Sequence, residues 1–171
     1  MATPSIQDGV YYIQNSGSGT VVDLFDGAKL QGYQKHELGN VWAPAQLWII
    51  TSDDEGLYTL QNANSRTFVE LNSPENGTRM VCNPPNGKKS QQFKITRSSG
   101  GTYYVYVYST RIISILRLKA VARSNSIQNV ETQTYMDLYN GGAANNTPVN
   151  GWKGSGPTTE NPNQLWLIVR A

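Results

Sequence analysis

Tyr12-Ile-Gln-Asn15 opens a pattern that decides how this chain is read. Eight residues after Asn15 stands an acid, within Thr20-Val-Val-Asp23-Leu, and the run closes at Gln46-Leu-Trp48. The same markers return twice. Thr59-Leu-Gln-Asn62 leads to Thr67-Phe-Val-Glu70-Leu and Gln91-Gln-Phe93; Ser126-Ile-Gln-Asn129 leads to Thr134-Tyr-Met-Asp137-Leu and Gln164-Leu-Trp166. From the Asn to the closing Gln is 31, 29 and 35 residues. Three markers in a fixed order, three times over, make an internal repeat.

Within each unit the text is strand and turn. Val10-Tyr-Tyr-Ile13, Leu57-Tyr-Thr-Leu60, Thr67-Phe-Val-Glu-Leu71 and Trp166-Leu-Ile-Val169 are short β-branched and aromatic runs. Asp26-Gly, Asn76-Gly and Asn86-Gly punctuate them as turns. No repeat contains a capped stretch with a sustained 3.6-residue apolar period, so the class is all-β. A unit this short cannot bury its own apolar face, and three are expected to share one core in a single domain, with repeats at about 9–53, 56–98 and 101–171. Trp48, Phe93 and Trp166 are expected in that core rather than at a ligand. The third unit is long. Gly9 to Asp23 and Gly56 to Glu70 are 14 residues each, whereas Gly101 to Asp137 is 36. The surplus is an insertion at about 102–123, running from Tyr103-Tyr-Val-Tyr-Val-Tyr108 through Arg111-Ile-Ile-Ser-Ile-Leu-Arg-Leu-Lys-Ala-Val-Ala-Arg123. It reads as an added hairpin or distorted strand pair; the alternative is a basic amphipathic segment that meets a membrane or a partner subunit.

The chain has 171 residues, one domain's worth, and can bury a core without disulfides or metals. Fourteen Lys+Arg against twelve Asp+Glu leave a formal charge of +2, and only 15% of residues are charged, where about 25% is usual. That balance lacks the basic stripe a nucleic-acid binder needs. Hydrophobic residues at 38% and aromatics at 10% argue against disorder. Neutral polar side chains and 16 glycines take the place of charge, a surface suited to neutral polar ligands. One Cys82 and one His36 make neither an intramolecular disulfide nor a four-ligand structural zinc site, and a catalytic triad would have to use His36. With no P-loop, GxGxxG or GxSxG motif, neither cofactor nor metal is expected. No apolar run has the length of a membrane span. Residues 1–8 lack the basic and apolar regions of a signal peptide, so a cytoplasmic protein is expected, released, if at all, by a non-classical route. Asn76-Gly-Thr and Asn145-Asn-Thr then read as chance matches to the glycosylation pattern.

The repeated Gln-x-aromatic closures, spaced acids and Gly-aromatic pairs resemble the ricin-B-type lectin repeat, and look most like its mushroom and other fungal members. The resemblance covers residues 9–98 and 124–171. It implies a β-trefoil with pseudo-threefold symmetry, six barrel strands and six in capping hairpins, an agglutinin-like binder of galactose or N-acetylgalactosamine termini on glycans, and no enzyme activity. The residue types suit a sugar. A carboxylate accepts charge-assisted bonds from neighbouring hydroxyls, an aromatic face covers the apolar side of the ring, and amides both donate and accept.

By that resemblance the third repeat carries the best site. Asp137, in Asp137-Leu-Tyr-Asn140-Gly-Gly, takes a hydroxyl pair, Trp152 supplies the stacking face, and Asn140 and Asn163 add amides. Gln164 braces the site and Lys153 reaches its rim. The first repeat keeps Asp23, Tyr33 and Gln46, but has Ala45 where the third has Asn163; His36 and Asn40 are candidates to replace that amide. Its acid-to-aromatic spacing is ten residues against fifteen. The second repeat, with Glu70 and no aromatic platform, is expected to be structural, and Cys82 to be a packing residue. Shallow single sites bind weakly, so avidity calls for two sites on one chain or a homodimer. The competing readings are a β-trefoil protease inhibitor acting through exposed loops, and a glycosidase, for which Asp53-Asp-Glu55 is a poor carboxylate pair.

Overall fold

A computed structural model describes residues 6–106 and 119–171, and between 99 and 123 the strand ladder alone. The first repeat forms β1 (Gly9–Asn15), β2 (Val21–Phe25), β3 (Lys29–Tyr33) and β4 (Trp48–Ser52). The second forms β5 (Tyr58–Asn62), β6 (Phe68–Glu70), the two-residue β7 (Thr78–Arg79), β8 (Val81–Asn83) and β9 (Phe93–Tyr106). The third contributes β10 (Lys119–Asn129), β11 (Tyr135–Leu138), β12 (Thr147–Trp152) and β13 (Trp166–Arg170).

Antiparallel pairings β1–β4, β4–β5, β5–β9, β9–β10, β10–β13 and β13–β1 close a six-stranded barrel with no free edge. The hairpins β2–β3, β6–β8 and β11–β12 cap it, joined to one another through β3–β12, β12–β7 and β3–β8. This is a β-trefoil, the fold that the resemblance implies. Trp48, Phe93 and Trp166, one from each repeat, have no exposed surface and lie in the common core with Ile13, Leu60, Ile127 and their neighbours. The indole N–H of Trp48 donates to the Val22 carbonyl at 2.9 Å and that of Trp166 to the Met136 carbonyl at 3.0 Å, so neither ring buries an unpaired donor.

The Ile/Leu-Gln-Asn marker has a mechanical reason. Each Asn turns its side-chain oxygen onto the next turn: Asn15 accepts from Gly17 and Ser18, Asn62 from Asn64 and Ser65, Asn129 from Glu131 and Thr132. Its amide donates across to the carbonyls around the preceding repeat's Gln-x-aromatic: Asn62 to Ala45, Asn129 to Ser90 and Gln92, and Asn15 to Pro162, Asn163 and Leu165. The Gln before it closes the same turn by donating to Gly19, Arg66 or Gln133. One tripeptide thus fixes a turn and bolts two repeats together.

Strands β9 and β10 extend the hairpin between the second and third repeats. Beyond the barrel pairs Phe93↔Asn129 to Arg97↔Asn125, and past an irregularity between Arg123 and Asn125, the ladder resumes from Thr102↔Arg123 to Tyr106↔Lys119. Residues 107–118, which hold much of the Arg111–Arg123 segment, lie outside the described residues.

Candidate functional site

Each cap hairpin presents one face to the core and one outward, because side chains alternate along a strand. In the third repeat Tyr135 pairs with Trp152 and Asp137 with Asn150, so these four share the outer face, while the intervening Met136, Leu138 and Val149 are fully buried in the core. Asp137 is 5% exposed and Trp152 37%, a recessed carboxylate beside an open ring. Burial pushes the Asp137 carboxyl above the usual carboxylate range, partly offset by a hydrogen bond from Gln164. Asn163 lies against Gly141, where a Cβ would come within 2.5 Å of its side-chain oxygen. Gly141 also has φ +63° and follows Asn140, exposed at φ +50°, so the turn after β11 can press onto Asn163 only with glycine there. Gln164 is buried and donates to the Lys153 carbonyl at 3.0 Å, fixing the chain after Trp152. Lys153 is exposed, and its backbone N–H donates to Asn76 Oδ1 at 2.8 Å. The predicted Asp137, Asn140, Trp152, Lys153, Asn163 and Gln164 therefore fall in one neighbourhood.

The first repeat has the same frame. Val21 pairs with Tyr33 and Asp23 with Gln31, whose amide donates to Asp23 Oδ1 at 3.1 Å. Tyr33 is half-buried, and the His36 ring lies 5.6 Å from it, tilted 37°, widening the aromatic surface. Buried Gln46 donates to the Gln34 carbonyl and accepts from the His36 backbone N–H, the same brace that Gln164 gives. Asn40 is exposed; its side-chain oxygen accepts from the Trp42 N–H, and it has no hydrogen bond to the other residues of this site.

In the second repeat the platform register holds Asn83, opposite Phe68, and its amide donates to Glu70. Glu70 Oε2 accepts from Asn83 and Gln91, and Oε1 from Asn86 and Ser90, at 2.7 to 3.3 Å. Burial would raise this carboxyl, but the four donors together hold it below its ordinary value. Its acceptor capacity is used by the protein itself.

The sequence profile of the ricin-type beta-trefoil lectin domain-like family matches residues 3–83 and, overlapping them, 45–126. The chain belongs to that family. Among curated protein sequences, none matches it. Its fold is similar to that of a Macrolepiota procera ricin B-like lectin solved with lactose (TM-score 0.71, 24% identity, 99% of this chain and 100% of that one). It is similar also to the Rhizoctonia solani agglutinin (TM-score 0.70, 22% identity, 99% and 100%) and to the designed threefold protein ThreeFoil (TM-score 0.72, 19% identity, 96% and 100%).

In this ricin-type domain the sequence reading overlooked the residue opposite each acid, Gln31 in the first repeat and Asn150 in the third, because cross-strand register does not show in linear text. It also overlooked Trp42, 67% exposed in the loop beyond His36; Val41-Trp42 in a Gly- and Asn-flanked loop was the available signal. Cys82 is buried, and burial pushes its thiol up to about 12, consistent with packing rather than reactivity. Asp53 Oδ1 accepts from the Glu55 and Leu57 N–H groups, a turn contact rather than half of a carboxylate pair.

Proposed function

We propose that this protein is a non-enzymatic lectin for galactose- or N-acetylgalactosamine-type glycan termini, with its best site in the third repeat and a second in the first. The observation that carries the reading is the outer face of β11–β12. There a recessed Asp137 lies one register step from the open ring of Trp152, with Asn163 and the Asn140–Gly141 turn beside them. A hydroxylated ring can lay its apolar side on the indole while two hydroxyls donate to the carboxylate. Asp23, Tyr33 and His36 supply a smaller version. Lactose in the Macrolepiota procera structure supports the sugar class.

Calorimetric titration with lactose and N-acetylgalactosamine tests this. Asp137→Asn is the informative variant: it removes the buried charge and keeps the shape. It should weaken the tighter site about tenfold or more, and Asp23→Asn should remove the weaker one. Binding that survives Asp137→Asn and vanishes in Asp23→Asn would reverse the ranking. Correctly folded protein that binds no glycan would sink the lectin reading; papain and trypsin assays would then examine the inhibitor alternative.

A further inference from the structure

Each acid-bearing row on the cap is completed by a residue from another repeat. Across the third repeat it runs Asp137, Asn150, Arg79, because β12 pairs with β7 at Asn150↔Arg79. The first repeat's row runs Asp23, Gln31, Pro148, and the second repeat's runs Glu70, Val81, Lys29. Directly opposed residues on antiparallel strands point to the same face, so Arg79 shares the outer face with Asp137. Two strand spacings, roughly 10 Å of backbone, separate them.

Arg79 is half-buried, and its Nε is buried with no hydrogen-bond acceptor. The one ion pair among the described residues is Lys35–Glu37, so Arg79 is not neutralised by Asp137 or Glu75. A guanidinium keeps its proton and donates through a planar fork that fits a carboxylate or sulfate. Burial without an acceptor also pushes Arg79 below its usual value. The neighbouring lip is a shallow pocket lined by Pro74, Glu75, Asn76 and Lys153, with Gly77 against the Trp152 ring. Glu75 and Lys153 there are exposed and of opposite sign.

We propose that the third-repeat site extends onto β7 and prefers glycans carrying an anionic substituent, which Arg79 receives while Asp137 and Trp152 hold the neutral ring. The inference rests on the sugar-binding reading of that repeat. It also predicts that the two sites differ, since Pro148 stands in the first repeat where Arg79 stands in the third.

The test compares lactose, 3′-sulfated lactose and 3′-sialyllactose by calorimetry on the full chain. In Asp23→Asn protein, where the third site acts alone, at least one anionic sugar should bind about tenfold tighter than lactose, the gain of one charge-assisted bond. The two anionic sugars tell sulfate from carboxylate. Adding Arg79→Gln should bring the anionic-to-neutral ratio to about one, Arg79→Lys should keep part of it, and salt should lower it. In protein carrying both Asp137→Asn and Trp152→Ala, where the third site has lost its acid and its platform and the first site acts alone, the ratio should be about one. Lactose binding with no gain from either anion, or a gain that persists in Arg79→Gln, overturns this inference and leaves the lectin reading standing. Failure of all three sugars, and of N-acetylgalactosamine, to bind folded protein overturns both.

Discussion

Asp23, Glu70 and Asp137 occupy one position of the repeat, and their surroundings set Glu70 apart from the other two. Glu70 is the clearest structural case, since four donors converge on its two oxygens. Glu70→Gln turns an NH2 toward donors that need an acceptor and should cost about 2 kcal/mol in urea unfolding at neutral pH. Because the folded carboxyl titrates below its unfolded value, its stabilisation is complete above the unfolded pKa, near 4.3. It is lost as pH falls through the lower folded value. Glu70→Gln should therefore flatten the acid limb of the stability profile; an unchanged limb would show that the four bonds contribute no net stability. Asp137 runs the other way, its carboxyl raised chiefly by burial. Residue types placed all three acids in the text, but only their partners separate a saturated acid from one facing outward.

At the scale of turns and strands, the repeats agree more closely than their spacing suggests. Tyr33 and Trp152 lie ten and fifteen residues after their acids, yet both pair with the residue two before the acid, Val21 and Tyr135. The difference lies in the hairpin loops. The turns after the Gln-Asn pairs also match. Gly19, Arg66 and Gln133 take φ of +78°, +62° and +59° at equivalent places, and only the first has the residue suited to it. Arg66 is exposed, with no side-chain hydrogen bond described, so Arg66→Gly should raise stability by about 1 kcal/mol. The change would be read as a higher urea midpoint with an unchanged slope; a lower midpoint would mean that the strained turn is compensated. Turn chemistry was legible at Asp26-Gly and Asn86-Gly, where a glycine announces it. At Arg66 it was not, because the positive φ is imposed by the bonds that Asn62 and Gln61 make around it.

Across the whole molecule, the barrel closes by joining the end of one repeat to the start of the next, and Asn15, Asn62 and Asn129 hold those three joints. Asn129→Ala would leave the Glu131 and Thr132 N–H groups without the acceptor they share, and would remove one of the two donors at each of the Ser90 and Gln92 carbonyls, which keep the Leu71 and Val130 N–H groups, all around a fully buried side chain. A loss of about 3 kcal/mol is expected. Because all three repeats share one core, unfolding followed by tryptophan fluorescence and by far-UV circular dichroism should still coincide. Separate transitions would mean that the repeats are independently stable. The sequence by itself determined the threefold repeat, the all-β class, the Trp48–Phe93–Trp166 core and the acid in each unit. These are signals of local alternation and composition, which each repeat writes into its own text. Only the tertiary structure decided that Glu70 is closed by Asn83, Asn86, Ser90 and Gln91, that Asn150 and Gln31 face the other two acids, and that Arg79 completes the third row. Those contacts depend on strand register and on pairing between repeats. Both are fixed when the barrel closes and the hairpins meet, so residues far apart in the chain become neighbours without any mark of it in the linear order.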